Sequence, residues 1–142
     1  AAKRLPIYAS RDWHPHTHPS FEAHDGPWPA HCVQDTPGAA FHPDLRLPDT
    51  AVVVTKGTRF DEDQLSAFHH TGLAADMRRR GIRRVWLGGL ALDACIEATA
   101  LDARREGLAV QMIPGATRPI DAEDGRQAIA RMRAAGVVIE DD

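Results

Sequence analysis

The sequence predicts an α/β fold of three layers, a parallel sheet with helices on both faces. Three observations predict it. Short apolar, β-branched runs alternate with stretches of helical period, glycines stand where each helix should stop, and the polar residues that could do chemistry follow the ends of the strand-like runs. Strand, helix and parallel strand then join by right-handed crossovers. Ligands of such sheets bind beyond the carboxyl ends of the strands. With 142 residues, 43% of them hydrophobic, the chain fits one globular domain over residues 1–142.

The elements follow in order. Residues 5–10 (LPIYAS) read as a short strand. From 11 to 48 no periodicity holds and His, Pro, Gly and Asp dominate; an irregular segment that long usually serves function. Residues 51–55 (AVVVT) suit a strand buried on both faces. A second loop, 57–72, carries one helical turn near 61–68. A helix at 73–80 is stopped by Gly81, with Arg78, Arg79 and Arg80 as its solvated, dipole-complementing end. The strand at 83–87 is released by Gly88 and Gly89 into a helix at about 94–106, for which Asp93 is a good N-cap type. A strand at 108–113 ends at Pro114-Gly115, a helix at 121–135 ends at Gly136, and residues 137–140 form a last strand.

Composition excludes several partners. The formal charge of −3 leaves no basic footprint for nucleic acid. No apolar run approaches the roughly 20 residues that span a membrane. Cys32 and Cys95 make no disulfide framework, so a reducing cytoplasm is the expected setting. The chain opens without Met, and residues 1–6 read like the tail of a helix entering a strand, so the gene product is expected to begin earlier.

Three places could carry chemistry. Cys95 falls in the first turn of its helix, where unpaired N–H groups and the helix dipole favour a thiolate, the nucleophilic form. The bland alternative is a buried structural cysteine. Asp12 and His14, at i and i+2 of a strand end, point the same way and could reach one ion with His31. A carboxylate with two imidazoles suits Zn²⁺, Mn²⁺ or Fe²⁺ and leaves positions open for water or substrate. A hydrogen-bonded Asp–His pair is the plainer reading. His18 and His24 could add a ligand, whereas His16, His42, His69 and His70 read as solvated. Lys56, alone after a buried strand, could lower a thiol pKa or hold an oxyanion; otherwise it is a snorkelling lysine. Trp28, stiffened between Pro27 and Pro29, could stack on a planar ring or simply anchor its loop.

Three segments, residues 8–15 (YASRDWHP), 26–39 (GPWPAHCVQDTPGA) and 89–103 (GLALDACIEATALDA), resemble the nicotinamidase/pyrazinamidase branch of the isochorismatase-like cysteine hydrolases. The resemblance runs from about Ile7 to Ile139. It implies that Cys95 attacks the nicotinamide carboxamide, releasing ammonia and leaving a thioester that water hydrolyses to nicotinate, in salvage of NAD. It implies Lys56 as catalytic lysine, Asp12, His14 and His31 as ligands of one divalent ion that orients the pyridine ring, and Trp28 as a pocket wall. Ser20 falls where relatives carry a further contact to the ion. The Leu90–Ala91 peptide falls at a cis non-proline position of the family, which would aim the Ala91 and Cys95 N–H groups at the oxyanion and put Leu90 and Ala91 against the substrate. The family's catalytic aspartate ends an N-terminal strand that this sequence does not contain. That strand and its helix are expected to precede the chain, leaving the strands at 5–10 and 83–87 facing across a gap. Ala94 before the nucleophile, and Phe68-His69-His70, depart from the common pattern. A related amidase for another small cyclic amide, or a catalytically dead ligand-binding relative, are the alternatives. The oligomer, a homo-oligomer included, stays open.

Overall fold

The computed structural model describes residues 4–140 and divides after Gln64 into two compact units. Of the helix tail expected over residues 1–6, residues 1–3 lie outside the described residues, and 4–6 are neither helix nor strand. Every strand pairing between the named strands is parallel, as the α/β reading requires.

In the first unit, β1 (Tyr8–Asp12) pairs with β2 (Val52–Lys56), Tyr8 opposite Val52 and Asp12 opposite Lys56. That register sets the last residue of each strand side by side. The connection between them is the irregular segment, which contains two single 3₁₀ turns, Glu22–His24 and Pro37–Ala39. Backbone hydrogen bonds order it where the sequence motifs lie. His14 N donates to the Cys32 carbonyl and Gln34 N to the His14 carbonyl, both at 2.8 Å, and Trp28 N donates to the Ser20 carbonyl at 2.9 Å. Each motif is thereby tied to another one. The strand expected to be buried on both faces is not: Val54 is buried, but Val52 and Val53 are 37% and 46% exposed. Among the described residues β2 pairs only with β1, and burial of its side chains depends on what packs on the two sheet faces.

The second unit holds α1 (Leu73–Arg79), β3 (Arg84–Leu90), α2 (Glu97–Arg105), β4 (Ala109–Arg118), α3 (Ala122–Ala134) and β5 (Val138–Ile139), with sheet order β3-β4-β5. Its core is made of small and flexible apolar residues: Ala100 and Ala103 of α2, Ala128 and Met132 of α3, and Val110 and Met112 of β4 are almost fully buried. Spacings of three and four residues put each helical pair on one face. Asp121 caps α3 by accepting from Asp124 N at 2.9 Å, and Gly81 and Gly136 follow α1 and α3 with φ of +70° and +92°. Among the described residues no helix is long and apolar enough to cross a membrane.

Three sequence expectations fail in this unit or at its edge. Pro114-Gly115 does not end β4, which runs on to Arg118. The register steps from Leu87 opposite Met112 to Gly89 opposite Thr117, so a bulge takes up the intervening residues and Pro114 needs no ladder N–H there. Nor do Gly88 and Gly89 release β3, which continues to Leu90; a Cβ on Gly88 would stand 3.0 Å from that of Ala116, so glycine lets the bulge approach. The helical turn expected near 61–68 is absent. Gln64 is instead spent on other partners, its carbonyl accepting from Lys56 and its side chain from Gly57 N.

Candidate active site

In the first unit Asp12, His14, His31 and Lys56 come together. Asp12 ends β1, and its two carboxylate oxygens divide their work. Oδ1 accepts from Lys56 Nζ at 2.5 Å, while Oδ2 stands 3.8 Å from His14 Nε2. Lys56 is not a snorkelling lysine: it is 3% exposed and also donates to the Gln64 carbonyl at 3.1 Å. A buried ammonium needs such partners, and the register of β1 with β2 delivers the charged one.

His14 Nδ1 lies 2.7 Å from the Gly57 carbonyl oxygen, and His31 Nδ1 lies 2.8 Å from that of Pro29. A carbonyl only accepts, so in both rings Nδ1 carries a proton, and in the neutral tautomer the lone pair is on Nε2. This is how metal-binding imidazoles are oriented and made more basic. The two rings meet edge to face with centroids 5.0 Å apart, and Phe21, itself buried, packs against both. A carboxylate and carbonyl-locked imidazoles are the donor types that a divalent ion of the zinc type takes.

His18 is built differently. It is fully buried and stacks on His14 at 3.7 Å, but its Nδ1 accepts from Ser20 N at 3.3 Å and meets Ser20 Oγ at 2.7 Å. That puts the neutral ring's proton on Nε2, which is buried without a hydrogen bond and 3.5 Å from Asp63 Oδ1. Burial lowers the His18 pKa, and the neighbouring His14 lowers it further, against the pull of Asp63. His18 thus serves as the floor under His14 and lacks the carbonyl lock. His16 and His24 are exposed, and Trp28, pinned through its backbone, leaves its indole 38% exposed.

Two contributors escaped the sequence reading. Gly57 supplies the carbonyl for His14 and adopts φ +68°; a Cβ there would fall 2.4 Å from the His14 ring. Gln64 fastens the residues after β2. A glycine directly after a lone buried lysine was the available signal for the first, and nothing in the local pattern marked the second.

In the second unit the Leu90–Ala91 peptide is cis. Leu90 is 73% exposed, and Ala91 and Cys95 are half-buried. The Ala91 carbonyl accepts from Ala94 N and Ile96 N at 3.1 and 3.0 Å, winding a π-helical turn, Leu92–Ile96, from which α2 continues. Cys95 lies within that turn. Asp93 does not cap it: Ala91 occupies the N-cap, and the Asp93 carboxylate accepts instead from Ile120 N and Asp121 N. A π turn starts one residue before Asp93, which moves its side chain off the cap position. Neither cysteine forms a disulfide.

An isochorismatase domain matches residues 1–141. The chain belongs to the isochorismatase domain family. Among curated relatives it is similar to a nicotinamidase of Acinetobacter baylyi, 38% identical over 92% of this chain and 72% of that one. Among solved structures it is similar to a pyrazinamidase of Pyrococcus horikoshii in complex with zinc, with a TM-score of 0.91 and 42% identity over 96% of this chain and 75% of that one. It is also similar to PnC1 from L. infantum in complex with nicotinate, with a TM-score of 0.90 and 38% identity over 95% and 71%. Both units of this isochorismatase domain protein fall within those likenesses.

Proposed function

We propose that this protein is a metal-containing nicotinamidase, converting nicotinamide to nicotinate and ammonia, and pyrazinamide likewise, in salvage of NAD in the cytoplasm. The observation that carries the reading is the pair of carbonyl-locked imidazoles, His14 and His31, beside Asp12. It stands in a chain similar to a pyrazinamidase solved with zinc and to a protein solved with nicotinate.

Asp12, His14 and His31 would hold one divalent ion, zinc first and manganese or iron as alternatives. When bound, such an ion supplies a Lewis acid for the pyridine nitrogen of the substrate. Lys56 fixes the Asp12 carboxylate and adds a buried positive charge. Trp28 offers an exposed indole for the ring to stack on, with Leu90 and Ala91 as further substrate contacts.

Cys95 Sγ attacks the carboxamide carbon and the C–N bond breaks. Ammonia leaves carrying the thiol proton, and the acyl group stays on sulfur as a thioester. Water then cleaves the C–S bond, giving the acid and restoring the thiol. The N–H groups of Ala91 and Cys95 donate to the oxyanion at each tetrahedral stage. The test is iodoacetamide labelling near neutral pH, read by peptide mapping. Cys95 is expected to react faster than Cys32 and to be protected by nicotinamide; equal labelling of both, unmoved by nicotinamide, overturns the assignment of the nucleophile.

A further inference from the structure

Cys95 sits midway between two carboxylates, and both are tied to the same helix. Two residues before it, Asp93 accepts from Ile120 N at 2.9 Å through Oδ1 and from Asp121 N at 3.2 Å through Oδ2. Asp121 is itself the N-cap of α3, so this tether ends where α3 begins. Two residues after Cys95, Glu97 meets Arg131 of α3 in a bidentate pair, Oε2 to Nε at 2.5 Å and Oε1 to Nη2 at 2.9 Å. The two tethers are spaced along α3, one at its cap and one ten residues on.

Packing closes the space between them. A Cβ on Gly125 would lie 2.7 Å from Pro119 Cβ and 3.5 Å from Leu92 Cδ2, so α3 rests directly on the first residue of the turn and on the loop that supplies the N–H donors. Ile120 and Asp121 are exposed, and water could serve their N–H groups equally well. Using a carboxylate there fixes position. The chosen partners also suit the anion, since the amino end of a 13-residue helix carries positive partial charge. Burial works against the Asp93 charge, but the two N–H donors outweigh it and hold the carboxyl below the usual carboxylate range.

We infer that Asp93 and Glu97 are positioning residues for Cys95: together they clamp the Leu92–Ile96 turn onto α3 and hold the thiol in its attacking place. The inference rests on the nicotinamidase reading for its catalytic consequence. A clamp acts on bond formation rather than on substrate affinity, and misplacing a reacting group by about 1 Å costs on the order of 100-fold.

The test uses Asp93→Asn, which keeps one acceptor and turns an amide N–H toward the other donor, and Arg131→Gln, which cuts the second tether from its exposed far end. For D93N, kcat is expected to fall about 10- to 100-fold with KM changed less than about threefold. For R131Q a smaller fall is expected, and Arg131→Lys, which keeps the charge, should restore part of it. Hydrogen exchange at the amides of residues 92–96 is expected to speed up about tenfold in D93N, which needs no substrate. Unchanged kcat in D93N and R131Q, with wild type active, overturns the inference, and so does unchanged exchange in both. A wild type that releases no ammonia sinks the nicotinamidase reading instead, and exchange still decides the clamp. If D93N does not fold, R131Q and its lysine variant carry the decision.

Discussion

Lys56→Met, alone and combined with Asp12→Asn, probes the pair that joins β1 to β2. Methionine keeps the apolar stem volume of lysine and removes only the ammonium. Lys56 is 3% exposed and its partner's side chain 22%, so the pair is shielded on one side and partly wetted on the other. A charge-assisted hydrogen bond contributes about 1.5–3 kcal/mol, and breaking a fully buried pair costs about 3–5. Because the Asp12 carboxylate keeps some water, K56M is expected to lose about 2–3 kcal/mol. D12N takes the counter-charge from the more buried partner, which keeps the Gln64 carbonyl, and should lose about 3–4 kcal/mol. The double variant should lose less than the sum, with a coupling of about 1–3 kcal/mol. Urea unfolding of the metal-free proteins at neutral pH reads all four corners of the cycle. A coupling below about 0.5 kcal/mol would refute the claim that this pair holds the strand ends together.

Other outcomes follow from single features. Gly57→Ala combines a left-handed φ with a Cβ placed 2.4 Å from a buried imidazole, so it should destabilise by about 2–5 kcal/mol and weaken zinc binding at least tenfold, read by unfolding and by metal titration. Zinc at about 100 times its dissociation constant should stabilise the wild type by about 2.7 kcal/mol and leave a His14→Ala/His31→Ala variant unmoved; equal stabilisation of both would place the ion elsewhere. The Asp93 carboxyl has a lowered pKa in the folded protein, so its stabilising effect is complete above the ordinary carboxylate pKa and fades as pH falls through the lower folded value. The stability gap between wild type and D93N should therefore be constant from neutral pH to about 5 and close below about 4; a gap that widened in acid would contradict the N–H clamp.

The sequence exposed the parts of this fold that local rules govern. The helical period over 121–135 and Gly136 after it marked α3, because a left-handed glycine acts within a turn. The i, i+2 spacing of Asp12 and His14 marked two side chains that come together, because a strand end aligns alternate side chains. What stayed hidden depends on contacts distant in sequence. Pro114 looked like a strand end because the bulge that excuses it is a matter of register against β3. Asp93 looked like a cap because its real partners, Ile120 and Asp121, lie 27 and 28 residues away. Lys56 could not be told from a surface lysine until its register partner, Asp12, was known. The exposure of Val52 and Val53 depends on what packs on the faces of the sheet, which no β-branched run encodes.

The most direct measurement of the central claim is release of ammonia and nicotinate from nicotinamide by the zinc-loaded protein, beside Cys95→Ala. Equal amounts of the two products are expected from the wild type and none from C95A. No ammonia from the wild type, or the same rate from C95A, would contradict it.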